Sequence, residues 1–373
     1  MKIAVVIQRY GLIGGSEGFA YELTERLAQR EGAEIHVYAH HWRQNDSRVH
    51  MHRIPRLLLP TFLKPIGFAR LSNRITSLEP YDIVHGHEWI FGMNVLSLHG
   101  IPHRTWMKSI RRKRLSFSAL SRTWLEKRCL MAPRTPLILP VSNLVRDELL
   151  KAYRIPERRI RVIYPGISAE RFHRLDRENC RREIRERHGL LDLDIVILFV
   201  GMNFEIKRLD LVLRGVANLV SQGRAHQKVK VLVVGKGDID RYTNLAAHLG
   251  ISNRLIFAGV TREIEKYYLA SDVFAMPSQF DTFGMAVLEA MAGGLPVVIT
   301  EKVGAKDLVD DGVQGFVLAD EPSPAELSKK IDLLMDRERR QKMGRKAREM
   351  ALLHTWEKTA SQVWECYKEL KGH

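Results

Sequence analysis

Two carboxylates in the second half of the chain are spaced so that they could bind two groups of hydroxyls. Asp281 lies in a short loop with Phe283 and Gly284, and Glu289 follows in an apolar, helix-forming run that starts near Met285. The first N–H groups of a helix have no partners within the helix, so they bind anions or hydroxyl oxygens. Taken together, residues 281–289 predict a site for a polar ligand. Taken singly, Asp281 could be an ordinary surface aspartate and Glu289 an ordinary helical glutamate.

A second loop carries adjacent cations after an apolar run. Residues 195–200 are continuously apolar, as expected of a parallel strand covered on both faces, and Gly201 follows them. Lys207 follows in this loop, and its ammonium could bind an anionic ligand. Arg208 has two open interpretations: it is a second cation of this site, or a solvated cation at the start of a helix.

The first half opens with a strand at 2–7 and a glycine turn. Gly14 and Gly15 precede a helix expected over 16–30, but the pattern is not the Gly-x-Gly-x-x-Gly of dinucleotide-binding loops. These glycines either let the backbone approach a phosphate closely or form an ordinary tight turn.

Three of the fifteen histidines stand in distinctive contexts. His85 and His87 form a His-x-His pair, but no third ligand follows at a spacing typical of a metal site, so we interpret them as residues that line a cleft. His99 ends an apolar segment and is followed by Gly100. No metal is expected.

A strongly basic segment runs from Arg104 to Arg134 with a single acid, Glu126. Its cations are Arg104, Lys108, Arg111, Arg112, Lys113, Arg114, Arg122, Lys127, Arg128 and Arg134, and the apolar residues Trp106, Phe117, Leu120, Trp124 and Met131 are interleaved with them. A basic helix with aromatic residues is typical of a membrane-surface element, each cation near an anionic leaflet contributing ~1 kcal/mol. The alternative is a solvated charged face whose aromatics belong to the core. The apolar run 57–63 either extends the surface or packs as a buried loop.

The charge of the whole chain points to an anionic partner. Among 373 residues, 59 Lys and Arg exceed 43 Asp and Glu, a net charge of +16. Residues 1–165 hold 27 basic and 13 acidic side chains, and the remainder holds 32 and 30, so the excess lies almost entirely in the first half. A nucleic acid, a phosphorylated substrate or an anionic membrane would suit this surface. Since no recognised nucleic-acid-binding module is present, nucleic acid is not expected.

Cysteine usage and the N-terminus bear on the compartment. The three cysteines are far apart and form no Cys-x-x-Cys pair, which favours a reducing compartment. The N-terminal apolar run is too short for a signal peptide, and no apolar stretch is long enough to span a bilayer. We expect a cytoplasmic protein, peripherally attached to the inner face of the cell membrane.

Strand-like and helix-like segments alternate along the whole chain. Apolar runs near 34–39, 82–85, 229–234, 255–257, 273–276 and 296–299 have helical segments between them. This alternation predicts an α/β protein with two tandem Rossmann-like domains and a central cleft. We expect domains at 1–165 and 166–354, because a proline and a glycine interrupt the pattern there, and a final helix at 355–373 that returns to the first domain.

The block around Asp281 resembles the signature of the retaining glycosyltransferases of family four, which have the GT-B fold. That family has two glutamates separated by seven residues, with Phe-Gly between them and Glu-Ala-Met-Ala-x-Gly-x-Pro-Val-Val after, and this chain keeps the spacing with Asp281 in first place. The resemblance extends over nearly the whole chain, through Gly14-Gly15, His99, Lys207 and the closing Trp356-Glu357-Lys358. The basic segment and the junction Pro165-Gly166-Ile167 look most like the lipopolysaccharide core glucosyltransferases.

The resemblance implies a role for each matched residue. Catalytic positions fall to His99, Lys207 and Asp281. Donor-binding positions fall to Gly14, Gly15, Gly201, Arg208, Phe283, Gly284, Met285 and Glu289. Here the family's usual arginine is replaced by Met202, and Arg208 stands where a glycine is usual. A membrane or acceptor surface would comprise Trp106, Arg111, Arg112, Lys113, Arg114 and Trp124.

The hypothesis is a metal-independent, retaining transfer of a hexose from a nucleoside diphosphate sugar, with UDP-glucose as the expected donor and no other cofactor. The expected acceptor is a membrane-anchored glycolipid such as the lipopolysaccharide core, bound by the first domain, while the second binds the nucleotide sugar. The alternatives are a mannosyl- or N-acetylhexosaminyltransferase or a nucleotide-sugar epimerase. Outside enzymes, a non-catalytic anion- or membrane-binding protein with a degenerate cleft is the remaining alternative.

Overall fold

The computed structural model describes residues 1–12, 14–43, 48–107, 116–131, 136–223 and 229–372. The chain divides into two compact units. Unit 1 comprises Met1–Gly166 and Trp356–His373, and unit 2 comprises Ile167–Thr355. Each unit is an α/β structure built on one six-stranded sheet, so the prediction of two Rossmann-like domains is confirmed.

The sheet of unit 1 is parallel throughout. Its strands are β1 (Lys2–Val6), β2 (Glu34–Ala39), β3 (Val49–Arg53), β4 (Ile83–Gly86), β5 (Val95–Leu98) and β6 (Leu137–Pro140). They lie in the order β3-β2-β1-β4-β5-β6. Because the order reverses between β1 and β4, the loops after these two strands leave a crevice of the kind where such sheets bind ligands. Two short strands, Arg9–Tyr10 and His41–Trp42, pair beside this sheet.

The helices of unit 1 are α1 (Gly15–Leu27), α2 (Lys64–Thr76), α3 (Phe117–Leu130) and α4 (Asn143–Ala152), with short turns at His103–Thr105 and Glu157–Arg159. The C-terminal helix, Trp356–Lys371, also belongs to this unit. It packs on α1, where the rings of Phe19 and Trp356 lie 5.3 Å apart, and Arg26 donates to Glu357 at 2.7 Å. The chain therefore returns to its first unit, as predicted.

Unit 2 repeats the same sheet order. Its strands are β7 (Ile195–Gly201), β8 (Val229–Gly235), β9 (Leu255–Gly259), β10 (Val273–Met276), β11 (Val297–Thr300) and β12 (Gly315–Leu318), all parallel. They lie in the order β9-β8-β7-β10-β11-β12. The reversal falls between β7 and β10, so the loops that follow these two strands meet at the carboxyl edge of the sheet.

The helices of unit 2 cover its sheet. They are α5 (Glu170–His173), α6 (Arg177–Arg187), α7 (Leu209–Ser221), α8 (Ile239–His248), α9 (Ile264–Ala270), α10 (Met285–Ala292), α11 (Pro324–Leu333) and α12 (Arg337–Leu352), with 3-10 turns at Ser252–Arg254 and Gly304–Leu308. The Asp238 side chain caps α8 by accepting from the Arg241 N–H at 3.1 Å. Asp238 is thus a helix-capping residue.

Elements with strong apolar patterns were predicted correctly, and several short strands were not predicted. The predicted strands near 195–200 and 229–234 are β7 and β8, and the first predicted helix is α1. The strands β3, β5, β6 and β12 were not predicted. Each has four or five residues, and β3 contains the polar side chains His50, His52 and Arg53.

Within the described ranges, every helix is too short or too polar to span a lipid bilayer.

Candidate functional site

The predicted Lys207 and Asp281 meet at the reversal point of the unit 2 sheet. Lys207 lies in the loop after β7, and Asp281 lies in the loop after β10. The Lys207 ammonium donates to Asp281 Oδ2 in a close ion pair, and both side chains remain partly exposed, by 20% and 17%. Residues 74 positions apart are therefore brought into direct contact where the fold leaves a crevice. The pair can present one cation and one carboxylate to a bound ligand.

Backbone hydrogen bonds hold these two loops together. The Gln279 N–H donates to Ile206 O at 2.8 Å, which joins the loop after β10 to the loop after β7. The Asp281 N–H donates to Lys302 O at 2.8 Å, and Asp281 O accepts from the Gly304 N–H at 2.9 Å. Because its main chain is held on both sides, Asp281 has a fixed position from which its side chain can act.

The geometry of this site requires glycine at position 284, and Gly201 packs closely against Lys207. Gly284 caps α10 with a φ of 90°, and a Cβ there would lie 2.9 Å from Val303 Cγ1. A Cβ on Gly201 would lie 3.1 Å from Cγ of Lys207. Met285 begins α10, and the Phe283 side chain is buried. Phe283, Gly284 and Met285 of the predicted donor-binding block thus form the start of α10, whose first N–H groups have no partner within the helix.

Arg208 has an unusual backbone. It is the N-cap of α7 with a φ of 58°, and no other non-glycine residue in the described ranges has a positive φ. This left-handed conformation costs about 1 kcal/mol for a residue with a side chain, which explains why glycine suits the position. The guanidinium forms no hydrogen bond or ion pair with the described residues, so it is available to a ligand.

Glu289 is half-buried in unit 2 and has a hydrogen-bond partner on another helix. Its Oε2 accepts a hydrogen bond from the Tyr268 hydroxyl at 2.9 Å, and Tyr268 is itself fully buried on α9. Burial raises the pKa of Glu289, and the Tyr268 hydrogen bond opposes that shift. Sequence reasoning missed Tyr268, because nothing in its local pattern marks it as the partner of a residue on another helix.

The predicted catalytic histidine, His99, belongs to a stack of three imidazoles in unit 1. His99 follows β5, and its Nε2 lies 3.1 Å from Nδ1 of His87. The ring of His87 stacks on that of His85 at 4.5 Å, and Nε2 of His85 lies 2.9 Å from the Ser97 hydroxyl. Burial lowers the pKa of His85 to about 3 and that of His99 to about 4. The stack is therefore neutral at pH 7. His87 contacts His99 directly, and His85 packs against the other side of His87.

The predicted Gly14–Gly15 loop begins α1. Gly14 has a φ of 154°, and an added Cβ would meet the Glu17 carboxylate, which Arg9 and Ser16 also contact. Gly15 has open space around its Cα. The Glu17 carboxylate thus lies against the glycine turn, which was one of the candidate phosphate-binding loops.

A cavity of about 470 Å³ opens among the residues of unit 1. His87, Glu88, His99, Arg122 and Glu126 lie in its lining. Sequence reasoning missed Glu88, although it directly follows the His-x-His pair. Its backbone position after β4 places it at the reversal point of the unit 1 sheet.

The basic segment is only partly described. Arg111, Arg112, Lys113 and Arg114 lie outside the described residues. In α3, the side chains of Phe117 and Trp124 are 80% and 47% exposed, and Leu120 and the following Met131 are also exposed. Trp106 is half-buried. Phe62, from the predicted apolar run, brings its ring within 6.4 Å of Phe117. The alternative in which the aromatics of α3 belong to the core is therefore wrong for Phe117 and Trp124.

No group of three His, Cys, Asp or Glu side chains is arranged to share a metal ion in the parts of the chain that the structure describes.

Two family models together match most of the chain. Residues 180–350 match the model described as glycosyl transferases group 1, and residues 13–171 match that of glycosyltransferase family 4. The chain is a GT-B glycosyltransferase of group 1. As such, it is an enzyme that transfers a sugar from a nucleotide-sugar donor.

Curated relatives of this glycosyltransferase are similar along most of their length. An uncharacterized glycosyltransferase of Methanocaldococcus jannaschii is 28% identical over 338 residues, covering 85% of this chain and 84% of its own. The D-inositol 3-phosphate glycosyltransferase of Corynebacterium jeikeium is 29% identical over 338 residues, covering 84% and 79%.

Solved structures support the GT-B fold. WaaG, a glycosyltransferase involved in lipopolysaccharide biosynthesis, aligns with a TM-score of 0.82 at 19% identity, covering 97% of this chain and 98% of its own. The Anabaena protein HepE, solved in complex with UDP-glucose, aligns with a TM-score of 0.76 at 19% identity, covering 99% and 100%. The predicted fold class is thereby confirmed.

Proposed function

We propose that this glycosyltransferase transfers glucose from UDP-glucose to a membrane-anchored glycolipid such as the lipopolysaccharide core, with retention of anomeric configuration and without a metal ion. The observation that carries the proposal is the contact between Lys207 and Asp281 at the reversal point of the unit 2 sheet. A nucleoside diphosphate sugar brings a diphosphate and sugar hydroxyls side by side. The cation and carboxylate suit these two groups.

Unit 2 supplies the groups for the donor. Lys207 and Arg208 are consecutive residues in the loop after β7, and two cations there suit the two phosphates. Asp281 accepts hydrogen bonds from hydroxyls of the transferred sugar, and Glu289 accepts from the ribose. The HepE structures, one with UDP-glucose and one with UDP and glucose, make UDP-glucose a reasonable first donor to test.

The chemical step breaks the bond between the anomeric carbon and the diphosphate oxygen. The electron pair of that bond goes to the diphosphate, and the acceptor hydroxyl oxygen forms the new bond to the anomeric carbon. The transition state resembles an oxocarbenium ion. Lys207 stabilises the negative charge that develops on the leaving group, and the leaving phosphate takes the proton of the acceptor hydroxyl. No metal ion is needed in this scheme, because the cations come from side chains.

Unit 1 is the proposed acceptor side. Its α3 exposes Phe117 and Trp124 beside the cations Lys127 and Arg128, a combination suited to an anionic membrane surface. The similarity to WaaG, which is involved in lipopolysaccharide biosynthesis, supports a glycolipid acceptor. Membrane attachment at the cytoplasmic face would hold unit 1 close to such an acceptor.

A donor panel tests the proposal. The purified protein is mixed with UDP-glucose, UDP-galactose, UDP-N-acetylglucosamine and GDP-mannose, and the thermal midpoint is measured with each. UDP-glucose at a hundred times its dissociation constant should add about 2.7 kcal/mol of stability and raise the midpoint. Another sugar giving the largest shift would reassign the donor, and the absence of a shift with every nucleotide sugar would refute the proposal.

A further inference from the structure

The carboxylate of Glu289 is held through one of its two oxygens. Oε2 accepts a hydrogen bond from the Tyr268 hydroxyl at 2.9 Å. No described residue donates to Oε1, and Glu289 is half-buried rather than enclosed. The protein therefore fixes one oxygen of this carboxylate and leaves the other available to a ligand.

The Tyr268 hydroxyl has little freedom to move. Tyr268 is 0% exposed on α9, and its ring packs near those of Phe172 at 6.3 Å and Phe274 at 6.1 Å. A Cβ on Gly293 would lie only 2.9 Å from the Tyr268 Cβ, so the main chain after α10 is close as well. A phenylalanine would fill the same apolar space, whereas a buried hydroxyl costs free energy unless it is hydrogen-bonded. The Glu289 carboxylate is the partner that satisfies this hydroxyl.

Arg171 acts on the same carboxylate from α5. It forms a close ion pair with Glu265, whose side chain lies on α9 and is 10% exposed. Burial raises the pKa of Glu289, and the nearby Glu265 charge adds to that shift. The Tyr268 hydrogen bond and the Arg171 charge oppose it, so both favour the ionised carboxylate. Because it pairs with Glu265, Arg171 also reduces the repulsion between the two acids.

An ionised carboxylate with one oxygen held and one open suits a ligand that donates from hydroxyls. Hydrogen bonds to a charged group are about twice as strong as neutral ones, and they depend on direction. Glu289 lies about one helical turn after Met285, the first residue of α10. Its acceptor is therefore close to the carboxyl edge of the sheet, where the loops after β7 and β10 meet.

We propose that Tyr268 is a positioning residue for the donor: it orients Glu289 so that the open oxygen binds the ribose hydroxyls. Arg171 supports this arrangement by pairing with Glu265. The inference rests on the proposed function and deepens it, because it names the residues that make the site prefer ribonucleotides. Tyr268 acts on the ligand only through Glu289. A core residue without this role would contribute equally to binding of a nucleotide with or without the ribose hydroxyls.

The test measures how strongly the full-length protein distinguishes UDP from 2′,3′-dideoxy-UDP, which lacks both ribose hydroxyls. Dissociation constants are measured by titration calorimetry for the wild type, Tyr268→Phe, Arg171→Gln and Arg171→Lys. Because both nucleotides share the base and the diphosphate, the ratio of their dissociation constants reports on the ribose contacts alone.

Two further variants serve as matched controls. Tyr267→Phe removes a phenol hydroxyl from the neighbouring residue of α9, which is 2% exposed and whose hydroxyl lies 3.1 Å from Nε2 of His188 rather than against Glu289. Arg174→Gln removes an exposed cation that follows α5 and pairs with Glu170.

We expect the wild-type protein to bind UDP about tenfold more tightly than the dideoxy analogue at pH 7. In Tyr268→Phe and Arg171→Gln the ratio should fall to about threefold, mainly through weaker binding of UDP, whereas Arg171→Lys and both controls should keep it near tenfold. Lowering the pH should also reduce the ratio as Glu289 is protonated. This decline should begin at a higher pH in Tyr268→Phe, because a hydrogen bond that lowers the pKa of Glu289 is lost.

A ratio that stays near tenfold in both Tyr268→Phe and Arg171→Gln would overturn the inference, even if both nucleotides bind more weakly, because such a loss is structural. A wild-type ratio near one would overturn it as well. In either case, UDP binding by the wild type would leave the proposed function intact, whereas a wild type that binds neither nucleotide would refute both. Because half of the Arg171 side chain is exposed, its variants remain informative if Tyr268→Phe disturbs the fold.

Discussion

Lys207 and Asp281 show how the close approach of two residues creates a chemical site. Alone, a lysine after a strand and an aspartate in a loop are ordinary surface residues. In contact, and only about one-fifth exposed, they form a partly desolvated pair in which each charge fixes the position of the other. When a donor binds, its diphosphate can replace Asp281 as the partner of Lys207. The sugar hydroxyls can then replace Lys207 as partners of the carboxylate.

Replacing Lys207 should affect the chemical step more than donor binding. With Lys207→Ala, kcat should fall about 100-fold, because a donor aimed at developing charge is lost. The measurement is steady-state transfer with saturating donor and acceptor, and KM should change much less. The control is Lys329→Ala, an exposed lysine on α11. Unchanged kcat in the Lys207 variant would remove this residue from the leaving-group role.

The buried histidines of unit 1 make stability depend on pH. His85 is 1% exposed, and burial lowers its pKa to about 3 in the folded protein, whereas an unfolded chain has a histidine pKa near 6.5. Below pH 6.5 the unfolded state therefore binds more protons than the folded state. Stability is complete above that pH and is lost as the pH falls toward 3.

Lowering the pH from 6.5 to 5.5 should cost about 1 kcal/mol through His85 alone, and His87 and His99 add to the effect. Urea unfolding followed over this range measures it. His85→Gln should flatten the pH dependence by about one proton, while His173→Gln, at an exposed site on α5, should leave the slope unchanged. A wild-type stability that does not change between these pH values would contradict the account.

At the scale of elements, α3 has two functional sides. Leu125, Cys129 and Leu130 are buried and attach the helix to unit 1, and Arg122 turns toward the cavity. Phe117, Leu120 and Trp124 remain exposed, at positions that share one face of a helix. Together with Phe62, they form an exposed apolar surface next to cations. Exposed apolar patches of this kind mark interaction sites, because contact with water is unfavourable for them.

Removing this apolar face should weaken binding to anionic membranes. The combined variant Phe117→Ser, Leu120→Ser and Trp124→Ser should bind anionic vesicles at least tenfold more weakly in sedimentation, since each inserted side chain stabilises the bound state by about 1.5–3 kcal/mol. Leu191→Ser with Leu193→Ser, two exposed leucines of unit 2, is the matched control. Raising the salt concentration should release the wild-type protein; equal binding to neutral vesicles would exclude an electrostatic contribution.

At the scale of the whole molecule, one sheet order is used twice. Both units have a reversal point beside their first strand, which directs two loops to one edge of each sheet. The net charge distinguishes the units, because nearly all of the +16 excess lies in residues 1–165. We assign the specific contacts with a small donor to the nearly neutral half and the attraction to a large anionic surface to the basic half.

Hydrogen exchange should separate the two sites. Adding UDP should slow amide exchange at 201–208 and 281–289, because the donor's groups contact the loops after β7 and β10. Exchange in β4, β5 and the adjoining loop of His99 should remain near its unliganded rate. Protection confined to unit 1 would contradict the assignment of the donor to unit 2.

The strands β7 and β8 could be predicted because they are long and largely apolar. The residues of β7 from Ile195 to Phe199 are 0–2% exposed, and a continuous apolar run of that kind is typical of a strand buried on both faces. The strand β3, with three polar side chains among five residues, has no comparable signal. The residue types at Lys207 and Asp281 could also be singled out, since motif spacing along one chain carries that information.

The sequence by itself determined the two α/β units, the return of the C-terminal helix, the position of the excess charge and the residues of the 281–289 block. These depend on local periodicity, on composition and on spacing within a motif. Only the tertiary structure decided that Lys207 contacts Asp281, that Tyr268 holds Glu289, that His87 supports His99, and that Glu88 and Arg122 share a cavity. Such contacts join residues far apart in the chain, and they are set by strand order and helix packing, which no local pattern encodes.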